Sequence, residues 1–480
     1  MTLLQPLDLF DQFRATLGHG DPIATLRAGL IGKGAPVHGP FGPKPLVYAD
    51  YTASGRALMQ VERFVQEQIL PYYANSHTEA SYCGALMTRW RRAARAEIAR
   101  ACGAGPEHAV IFCGAGATAG INRLVHLLGL PEAVGARPLV ILGPYEHHSN
   151  ILPWRESGAE VVMLGEDPAG GPDRAALARL LAEAKGRPVV GAFSAASNVT
   201  GRLTDVAAVT RMLKAAGARA VWDYAAGGPY LPVAMTPAPD APIDALVISP
   251  HKFIGGPGAS GLLILRRDAV QSPRPSLPGG GTVRFVSARA HDYAGAVEQR
   301  EEAGTPNVLG DLRAALAFAV REAVGTARIA EIHATLRARA DAALSGQPRI
   351  ELLGGTAGER LPIYALRLRD AAGAELHPQL VTRLLSDCHG VQARGGCACA
   401  GPYALALLGI DADGAARLRA DILAGQEARK PGFVRLNLSY LHDAAEVAHI
   451  LAAVTDIAER SAELAPRYRC DPARAVFEPA

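Results

Sequence analysis

The sequence predicts an α/β protein, with a large domain built on a mainly parallel β-sheet and a smaller α+β domain after it. Apolar runs of strand length alternate with helical patterns from about residue 46 to 270, which is the order that parallel strand–helix–strand units produce. A chain of 480 residues is also long for one hydrophobic core. We therefore expect an N-terminal arm at 1–45, a large domain at 46–310 and a small C-terminal domain at 311–480.

The large-domain strands are predicted from apolar runs, which in chain order are AVIF, PLVILG, AEVVML, PVVGAFS, AVWDYA, ALVIS and GLLILR. Helical patterns lie between most of them, so helices should cover both faces of the sheet. Ligands of such sheets bind at the carboxyl ends of the strands. A long helical pattern at 308–346 leads to the small domain, where we expect strands in RIELLG, LPIYALRL and GFVRLNLSYLH, a helix at 377–387 and the loop VQARGGCACAGP.

Composition indicates a globular protein that acts on small molecules. Charged residues make up 20% of the chain and apolar residues 49%, and a formal net charge of +3 offers no extended basic surface for nucleic acid. No apolar stretch has membrane-spanning length, and acidic residues near the N-terminus are unlike a signal peptide. We therefore expect a cytoplasmic protein with neither nucleic acid nor membrane as a partner. The seven scattered cysteines predict free thiols.

Lys252 follows the apolar run ALVI through Ser-Pro-His and precedes a glycine-rich turn. A lysine buried at a strand end has a lowered pKa, because its charged form loses solvation, and the neutral amine can condense with an aldehyde. The alternative is a surface lysine that ends a strand. Lysine is scarce in this chain, and of the six only Lys252 follows a strand with serine and histidine beside it.

Two further strand ends carry groups that suit an aldehyde with a phosphate. In GAGATAGIN, small residues precede a helix at 116–122, so backbone N–H groups and the Thr118 hydroxyl can hold a phosphate. In YEHHSNILPW, His147 and His148 follow the strand PLVILG, where an imidazole can stack on an aromatic ring. Each signal has a structural alternative, since glycine turns before helices are common and a lone histidine is more often a hydrogen-bonded core residue.

Asp223 ends the strand AVWDYA, and a buried carboxylate there needs a partner that a pyridinium nitrogen can supply. A helix cap or a partner arginine is the alternative for this residue in isolation. Ser249 and His251 are available for the phosphate. A phosphate cradle, a stacking imidazole, an acid and an aldehyde-binding lysine together describe a site for pyridoxal 5'-phosphate.

The order and spacing of these motifs resemble the class V aminotransferase family of pyridoxal-phosphate enzymes (PLP-dependent transferase fold type I), and within it the cysteine desulfurase and selenocysteine lyase branch. The resemblance runs from about residue 46 to the last helix. It is carried by NSH, GATAGIN, EHHSNILPW, SNVTGRL, WDYAA, SPHK, PGGGTV, EAGTPN and RGGCACAGP. It implies a homodimer with its sites at the subunit interface.

The resemblance implies a role for each matching residue. Lys252 would bind the cofactor as a Schiff base, Asp223 would pair with the pyridine nitrogen and His147 would stack on the ring. The implied cofactor contacts are Ala117, Thr118, Ser249 and His251 with the phosphate, Thr282 with the phosphate of the neighbouring subunit, and Asn198 with the ring hydroxyl. The implied substrate contacts are Asn75, His77 and Arg394, the last as the arginine that grips the substrate carboxylate.

Cys399 matches the desulfurase cysteine that attacks the substrate sulfur. The double-cysteine loop GGCACAGP also resembles that of the molybdenum-cofactor sulfurase N-terminal domain. The implied reaction removes sulfur or selenium from L-cysteine or a related amino acid, with Lys252 taking the α-proton, and leaves alanine and a Cys399 persulfide for a sulfur-acceptor protein. Cys397 is the alternative working thiol, and a buried or metal-binding thiol set with Cys388 and His389 is the alternative for the pair. No metal is expected.

Two positions depart from the family pattern. The usual glutamine three residues after the acid is Ala226, and the usual glutamate after the phosphate-loop threonine is Ala119. A helical insertion also separates Cys399 from the strand that carries Arg435. These departures leave open a C–S lyase, aminotransferase or epimerase of the same family without a cysteine nucleophile, and a sulfur-transfer partner that keeps the fold without catalysis.

Overall fold

A computed structural model describes residues 6–480 except 19, 77, 133, 134, 136 and 185. The chain forms two compact units. Unit 1 comprises Met1–Leu30, Ser54–Ala195 and Thr204–Ala327, and unit 2 comprises Ile31–Ala53, Ala196–Leu203 and Arg328–Ala480. The sequence predicts a different division, into an arm and two domains, and that division stays a prediction.

The α-helices among the described residues are, in chain order, α1 (Pro6–Thr16), α2 (Pro22–Ala28), α3 (Met59–Phe64), α4 (Tyr82–Ala101), α5 (Gly116–Leu127), α6 (Leu152–Glu156), α7 (Arg174–Glu183), α8 (Val206–Ala215), α9 (Val297–Glu301), α10 (Val308–Val324), α11 (Thr326–Leu344), α12 (Pro378–His389), α13 (Gly401–Leu407), α14 (Ala412–Leu423) and α15 (Ala444–Leu464). None of these helices is long and apolar enough to cross a membrane.

The strands among the described residues are β1 (Pro36–Val37), β2 (Lys44–Pro45), β3 (Val47–Tyr48), β4 (His108–Phe112), β5 (Leu139–Leu142), β6 (Glu160–Met163), β7 (Val189–Ser194), β8 (Arg219–Asp223), β9 (Ala245–Ile248), β10 (Leu262–Arg266), β11 (Val283–Val286), β12 (His291–Tyr293), β13 (Ile350–Leu353), β14 (Ile363–Leu368), β15 (Val391–Gln392), β16 (Arg394–Gly396), β17 (Phe433–Asn437), β18 (Tyr468–Asp471) and β19 (Val476–Pro479).

Unit 1 is organised around a seven-stranded sheet in the order β4-β10-β9-β8-β7-β5-β6. The neighbours from β9 to β6 pair in parallel, whereas β10 is antiparallel to both β9 and β4. Strands β4, β5 and β9 are buried along their whole length, as expected for a sheet covered on both faces. The sheet has the mainly parallel α/β architecture that the sequence predicts.

Residues at the helix ends explain where several helices of the chain begin and end. Asp173 and Asp205 stand immediately before α7 and α8 and accept hydrogen bonds from the backbone N–H groups of Ala176 and Ala208, both at 2.9 Å, as N-cap residues do. The stretch predicted as one helix at 308–346 is two helices, because Gly325 adopts a left-handed φ of +81° between them. Glycine adopts this conformation without a Cβ penalty.

Unit 2 contains a four-stranded antiparallel sheet in the order β13-β14-β17-β16. Its core packs α12 and α15 against the sheet through buried residues such as Leu384, Val454 and Leu436. α15 begins with a capping box between Asp443 and Glu446. One element differs from expectation: Arg394–Gly396, predicted as part of a loop, is strand β16 and pairs with β17.

Candidate active site

The turn before α5 is the first part of the site, at the carboxyl end of β4. Gly116 has a left-handed φ of +61°, and a Cβ added there would lie 2.8 Å from His251 Cε1 and 2.9 Å from Ser249 Oγ. The backbone N–H of Ala117 donates to Ser249 Oγ at 2.9 Å. Ala117, Ser249 and His251 therefore surround one helix N-terminus, whose free N–H groups favour an anion.

Backbone contacts from Gly261, the residue before β10, fix this turn. The Gly261 N–H donates to the Gly114 carbonyl at 2.8 Å, and the Cys113 N–H donates to the Gly261 carbonyl at 2.8 Å. A Cβ on Gly261 would lie 2.4 Å from the Gly116 carbonyl oxygen, so only glycine allows the two backbones to approach this closely.

Lys252 and Asp223 stand at the carboxyl ends of neighbouring parallel strands. Lys252 closes the short helical turn Pro250–Lys252 after β9, with its N–H donating to the Ser249 carbonyl at 3.0 Å. Asp223 is the last residue of β8 and is 5% exposed, and its Oδ1 accepts from the Ala225 N–H at 2.7 Å. Burial raises the pKa of Asp223, while that N–H and the Lys252 ammonium act in the opposite direction.

Lys252 also acts on its neighbour His251. Burial and the neighbouring Lys252 lower the pKa of His251 to about 4. The ring is therefore neutral near pH 7, and one of its nitrogens can donate a hydrogen bond to an anion.

His147 is held by the turn that follows β5. Its Nδ1 accepts from the Ser149 N–H at 3.1 Å and lies 3.0 Å from Ser149 Oγ. Ser149 Oγ is also 2.6 Å from Thr118 Oγ1 on α5. The predicted stacking imidazole and the predicted phosphate-binding hydroxyl are thus joined through Ser149.

The sequence analysis missed Glu146, which lies beneath this turn. Glu146 is 1% exposed and accepts from Ser194 N at 2.8 Å, Ser194 Oγ at 2.5 Å and Asn150 Nδ2 at 2.7 Å. Burial raises the pKa of Glu146 to about 7, and the charge of Asp223 acts in the same direction. The signal that could have found it is an acidic residue shortly after the apolar strand β5, which ends at Leu142, and directly before His147.

Unit 2 brings together a second group of predicted residues around Asp50. Arg394 Nε lies 3.1 Å from Asp50 Oδ2, and the buried Arg435 places its NH2 group 2.7 Å from Asp50 Oδ1. Arg435 NH1 also donates to the Asn198 carbonyl at 3.1 Å. Burial lowers the pKa of Arg435, against the effect of Asp50. Arg435 and Asp50 were not assigned a role from the sequence, although an arginine inside the apolar strand FVRLN is an unusual pattern.

The double-cysteine loop has an uncommon backbone. Ala398 and Cys399 have left-handed φ values of +52° and +55°, which cost an L-residue about 1–2 kcal/mol. Asn198 Nδ2 donates to the Ala398 carbonyl at 2.8 Å, and the Ala400 N–H donates to the Cys397 carbonyl at 3.0 Å. The side chain of Cys399 is exposed and that of Cys397 is half-buried.

Both cysteines line one cavity within unit 2. Its volume is about 560 Å³, within the range of small-molecule sites. Arg394 also lines this cavity, together with residues of α13 and α14. No group of three histidine, cysteine or acidic side chains that could hold a metal occurs among the described residues, and His389 pairs instead with Asp456 at 2.8 Å.

The remaining predicted residues occupy other positions. Thr282 is buried, and its hydroxyl donates to the Gly279 carbonyl at 2.6 Å within its own loop. Asn75 is exposed ahead of α4, and His77 lies outside the described residues. Ala226 is buried and presents only a methyl group at the position where the family has a glutamine.

Comparison with known proteins assigns the chain to a family. Residues 47–449 match the family described as Aminotransferase class-V, so the chain belongs to the class V aminotransferases. The predictions of this family, of its α/β fold and of an enzyme are therefore confirmed.

The relatives found within this family are cysteine desulfurases. The chain is 31% identical over 385 residues to the cysteine desulfurase of Pectobacterium atrosepticum, covering 79% of this chain and 89% of the relative. It is 27% identical over 368 residues to a probable cysteine desulfurase of Streptomyces coelicolor, covering 75% of this chain and 84% of the relative.

Solved structures share the fold. The cysteine desulfurase CsdA from Escherichia coli superposes with a TM-score of 0.70 at 24% identity, covering 91% of this chain and 98% of that one. A cysteine desulfurase from Thermococcus onnurineus NA1 also gives a TM-score of 0.70 at 24% identity, covering 86% of this chain and 94% of that one.

Proposed function

We propose that this protein is a pyridoxal-phosphate-dependent cysteine desulfurase, which takes sulfur or selenium from L-cysteine or a related amino acid and yields alanine and a persulfide on Cys399. The observation that carries the proposal is that the exposed Cys399 and Arg394 line the same cavity of unit 2. A thiol that accepts sulfur from a substrate has to be accessible to that substrate. The guanidinium group of an arginine can donate two parallel hydrogen bonds to the substrate carboxylate. The names of the relatives support the same reaction.

The residues of unit 1 fit pyridoxal 5'-phosphate. The space that a Cβ on Gly116 would fill is bordered by Ser249 Oγ and the His251 ring at the N-terminus of α5, which suits a phosphate. Asp223 is a buried carboxylate whose charge a pyridinium nitrogen would balance. Lys252, His147 and Thr118 would provide the covalent link, the stacking ring and a phosphate contact. When bound, this cofactor supplies an electron sink for the carbon from which a proton is removed.

The remaining chemistry falls to side chains of the protein. Lys252, once released from its link, would remove the substrate α-proton as a general base. Arg394 would bind and orient the substrate carboxylate. Cys399 as a thiolate would take the γ-sulfur, which leaves its carbon with the electron pair of the broken C–S bond. Asn198 would hold the loop that presents Cys399 through its hydrogen bond to Ala398.

Two cysteine variants and one lysine variant test this proposal. Purified holoenzyme would be incubated with L-cysteine and a reductant, and alanine and sulfide would be measured together. We expect equimolar products from wild type and Cys397→Ser, and loss of both products in Lys252→Ala and Cys399→Ser. Pyruvate in place of alanine, formed equally by both cysteine variants, would instead establish the C–S lyase alternative that the buried Ala226 favours.

A homodimer and a cytoplasmic location complete the proposal. The hairpin of β11 and β12 exposes Phe285 and Val286, which are 56% and 60% exposed, and Leu277 before it is 58% exposed. A second subunit would cover this apolar surface. Sedimentation of wild type and Phe285→Asp tests the dimer, because a charge in a covered apolar surface shifts the equilibrium toward monomer, whereas equal dimer content in both proteins would place the interface elsewhere.

A further inference from the structure

The cavity beside Cys399 is larger than a site for the substrate carboxylate and thiol alone would need to be. The inserted helices α13 and α14 form part of its wall and contribute the apolar side chains of Ala404, Leu405, Ala415, Leu418, Ile422 and Leu423. α14 has no fully buried residue. Apolar side chains of an exposed helix that face a cavity of about 560 Å³ are suited to contact the body of a ligand.

The charged side chains that line the cavity are mostly basic. Four cationic side chains and one acidic side chain contribute to it, namely Arg394, Arg419, Lys430, Arg474 and Glu427. Lys430 pairs with Glu427, Arg394 with Asp50, and Arg474 with Asp471 at 4.0 Å. Arg419 forms no ion pair among the residues that the structure describes. The cavity thus combines an apolar wall with an uncompensated positive charge, and charge complementarity favours an anion with an apolar body.

We propose that this cavity is the sulfur-acceptor site, and that the acceptor is a small anionic thiol with an apolar body that takes the sulfur directly from Cys399. This inference rests on the proposed function, because it requires a Cys399 persulfide. It goes beyond that function in naming the acceptor class and in giving the insertion at α13 and α14 a role.

The transfer balances without a further oxidant or reductant. The acceptor thiolate attacks the outer sulfur of the Cys399 persulfide, and a new S–S bond forms between the acceptor and that sulfur. The S–S bond to Cys399 breaks, and its electron pair returns to Cys399 Sγ as a thiolate. The proton of the persulfide stays on the transferred sulfur or leaves to solvent, so the products are an acceptor persulfide and regenerated Cys399.

The shape of the cavity favours a small molecule over a protein acceptor. Segments from five parts of unit 2 line it: residues 377–379 at the start of α12, β16 with the cysteine loop, α13 with α14, residues 427–431, and Arg474 with Ala475. Such concave sites enclose ligands, whereas protein partners bind broader surfaces. A protein acceptor is therefore the contrary outcome of the test.

Two thiols that differ only in charge provide the test. Mercaptohexanoate and mercaptohexanol have the same chain length and a terminal thiol, but only the first is an anion. Holoenzyme would be given L-cysteine with each thiol, and the steady-state rate of alanine formation and the acceptor persulfide would be measured. We expect mercaptohexanoate to be used with a kcat/KM about tenfold above that of mercaptohexanol. Equal use of the two thiols would overturn the charge argument.

Two arginines of α14 provide matched variants. Both are exposed, but Arg419 lines the cavity and Arg417, two residues earlier on the same helix, does not. We expect Arg419→Gln to raise the KM for mercaptohexanoate about threefold to tenfold and Arg417→Gln to change it less than about twofold. Equal effects of the two variants would mean that only the net charge of the helix matters and would overturn the proposed site.

A binding readout separates this inference from catalysis. Hexanoate has no thiol, so its binding can be followed by protection of Cys399 from iodoacetamide, with the modified peptide quantified by mass spectrometry. We expect hexanoate to slow alkylation at least about threefold in wild type and less in Arg419→Gln, with hexanol ineffective in both. Absence of protection in wild type would overturn the site even if turnover were normal.

A single-turnover control distinguishes the two proposals. Without any acceptor, the holoenzyme should form one alanine per subunit and a Cys399 peptide heavier by one sulfur atom. Formation of both, with neither thiol accelerating turnover, would overturn the small-thiol acceptor and leave the desulfurase intact, with a protein as acceptor. Absence of both alanine and persulfide would overturn the desulfurase proposal and the acceptor site with it.

Discussion

Asn198 holds Ala398 by a hydrogen bond of 2.8 Å from its side-chain amide to the backbone carbonyl. The two residues are 200 positions apart in the chain, and Arg435 in turn donates to the carbonyl of Asn198. The double-cysteine loop is thereby attached to the buried ion-pair group around Asp50. The conformation of the double-cysteine loop therefore depends on Asn198 and Arg435, which lie outside the loop.

Asn198→Ala should loosen this loop. Loss of the amide leaves a buried carbonyl without its donor, which costs about 1–3 kcal/mol in the free energy of unfolding, and alkylation of Cys399 by iodoacetamide should become faster. Urea unfolding and alkylation kinetics check both effects. Gln347→Ala is the matched control, because it also removes an amide bonded to a carbonyl in unit 2, that of Ala343. Equal alkylation rates in the two variants would contradict the prediction.

Ala398→Gly should stabilise the protein. Ala398 has a left-handed φ of +52°, so glycine relieves a Cβ penalty of about 1–2 kcal/mol, from which the greater flexibility of the unfolded chain subtracts about 0.4–1 kcal/mol. Ala404→Gly, inside α13, should instead destabilise by about 1 kcal/mol. Chemical unfolding of both variants is the measurement, and a loss of stability in Ala398→Gly would show that the loop backbone is not strained at this residue.

Gly116→Ala should weaken cofactor binding more than it weakens the fold. Gly116 and Gly114 both have left-handed φ values, +61° and +66°, but a Cβ meets His251 and Ser249 only at Gly116 and meets nothing within 4 Å at Gly114. Both alanine variants should lose about 1–2 kcal/mol from backbone strain. Only Gly116→Ala should lose affinity for pyridoxal phosphate, which a spectroscopic titration measures. Equal affinities would mean that this turn does not contact the phosphate.

Glu146 should make stability depend on pH. Its pKa of about 7 in the folded protein lies above its ordinary value of 4.5, so the folded state binds the additional proton. The resulting stabilisation is fully present below about pH 4.5 and is lost as pH rises through about 7, with a total of about 3 kcal/mol. Glu146→Gln cannot titrate, so the wild-type minus variant difference in unfolding free energy should fall between about pH 5 and pH 8. A pH-independent difference would contradict the prediction.

The parts of the fold that the sequence predicts are those encoded locally. β8 and β9 are continuous apolar runs that end at Asp223 and Ser249, and their burial on both faces leaves no periodicity to misread. The carboxyl ends of parallel strands lie at one edge of a sheet, so the sequence alone predicts that Asp223, Lys252 and His147 belong to one site.

The parts that escaped prediction depend on contacts between distant residues. β16 contains two glycines and has low strand propensity, and it is a strand because Arg394 pairs opposite Arg435 in the antiparallel register with β17. Two arginines side by side require a shared carboxylate, which Asp50 supplies from far earlier in the chain. Glu146 escaped for the same reason: its position just before His147 is a local signal, but the contact that accounts for its burial comes from Ser194 on β7, 48 residues away.

The backbone contact between Gly261 and the turn before α5 bears on how the protein acquires its cofactor. Main-chain hydrogen bonds from Gly261, the residue before β10, shape the turn, so its free N–H groups are positioned when the sheet folds. Ligand association then does not have to supply the free energy of ordering this segment. Cofactor loading can then occur after synthesis and can be repeated, without local refolding at the phosphate end. A turn that is already ordered lowers the entropy cost of association, which favours binding of the cofactor at low concentration.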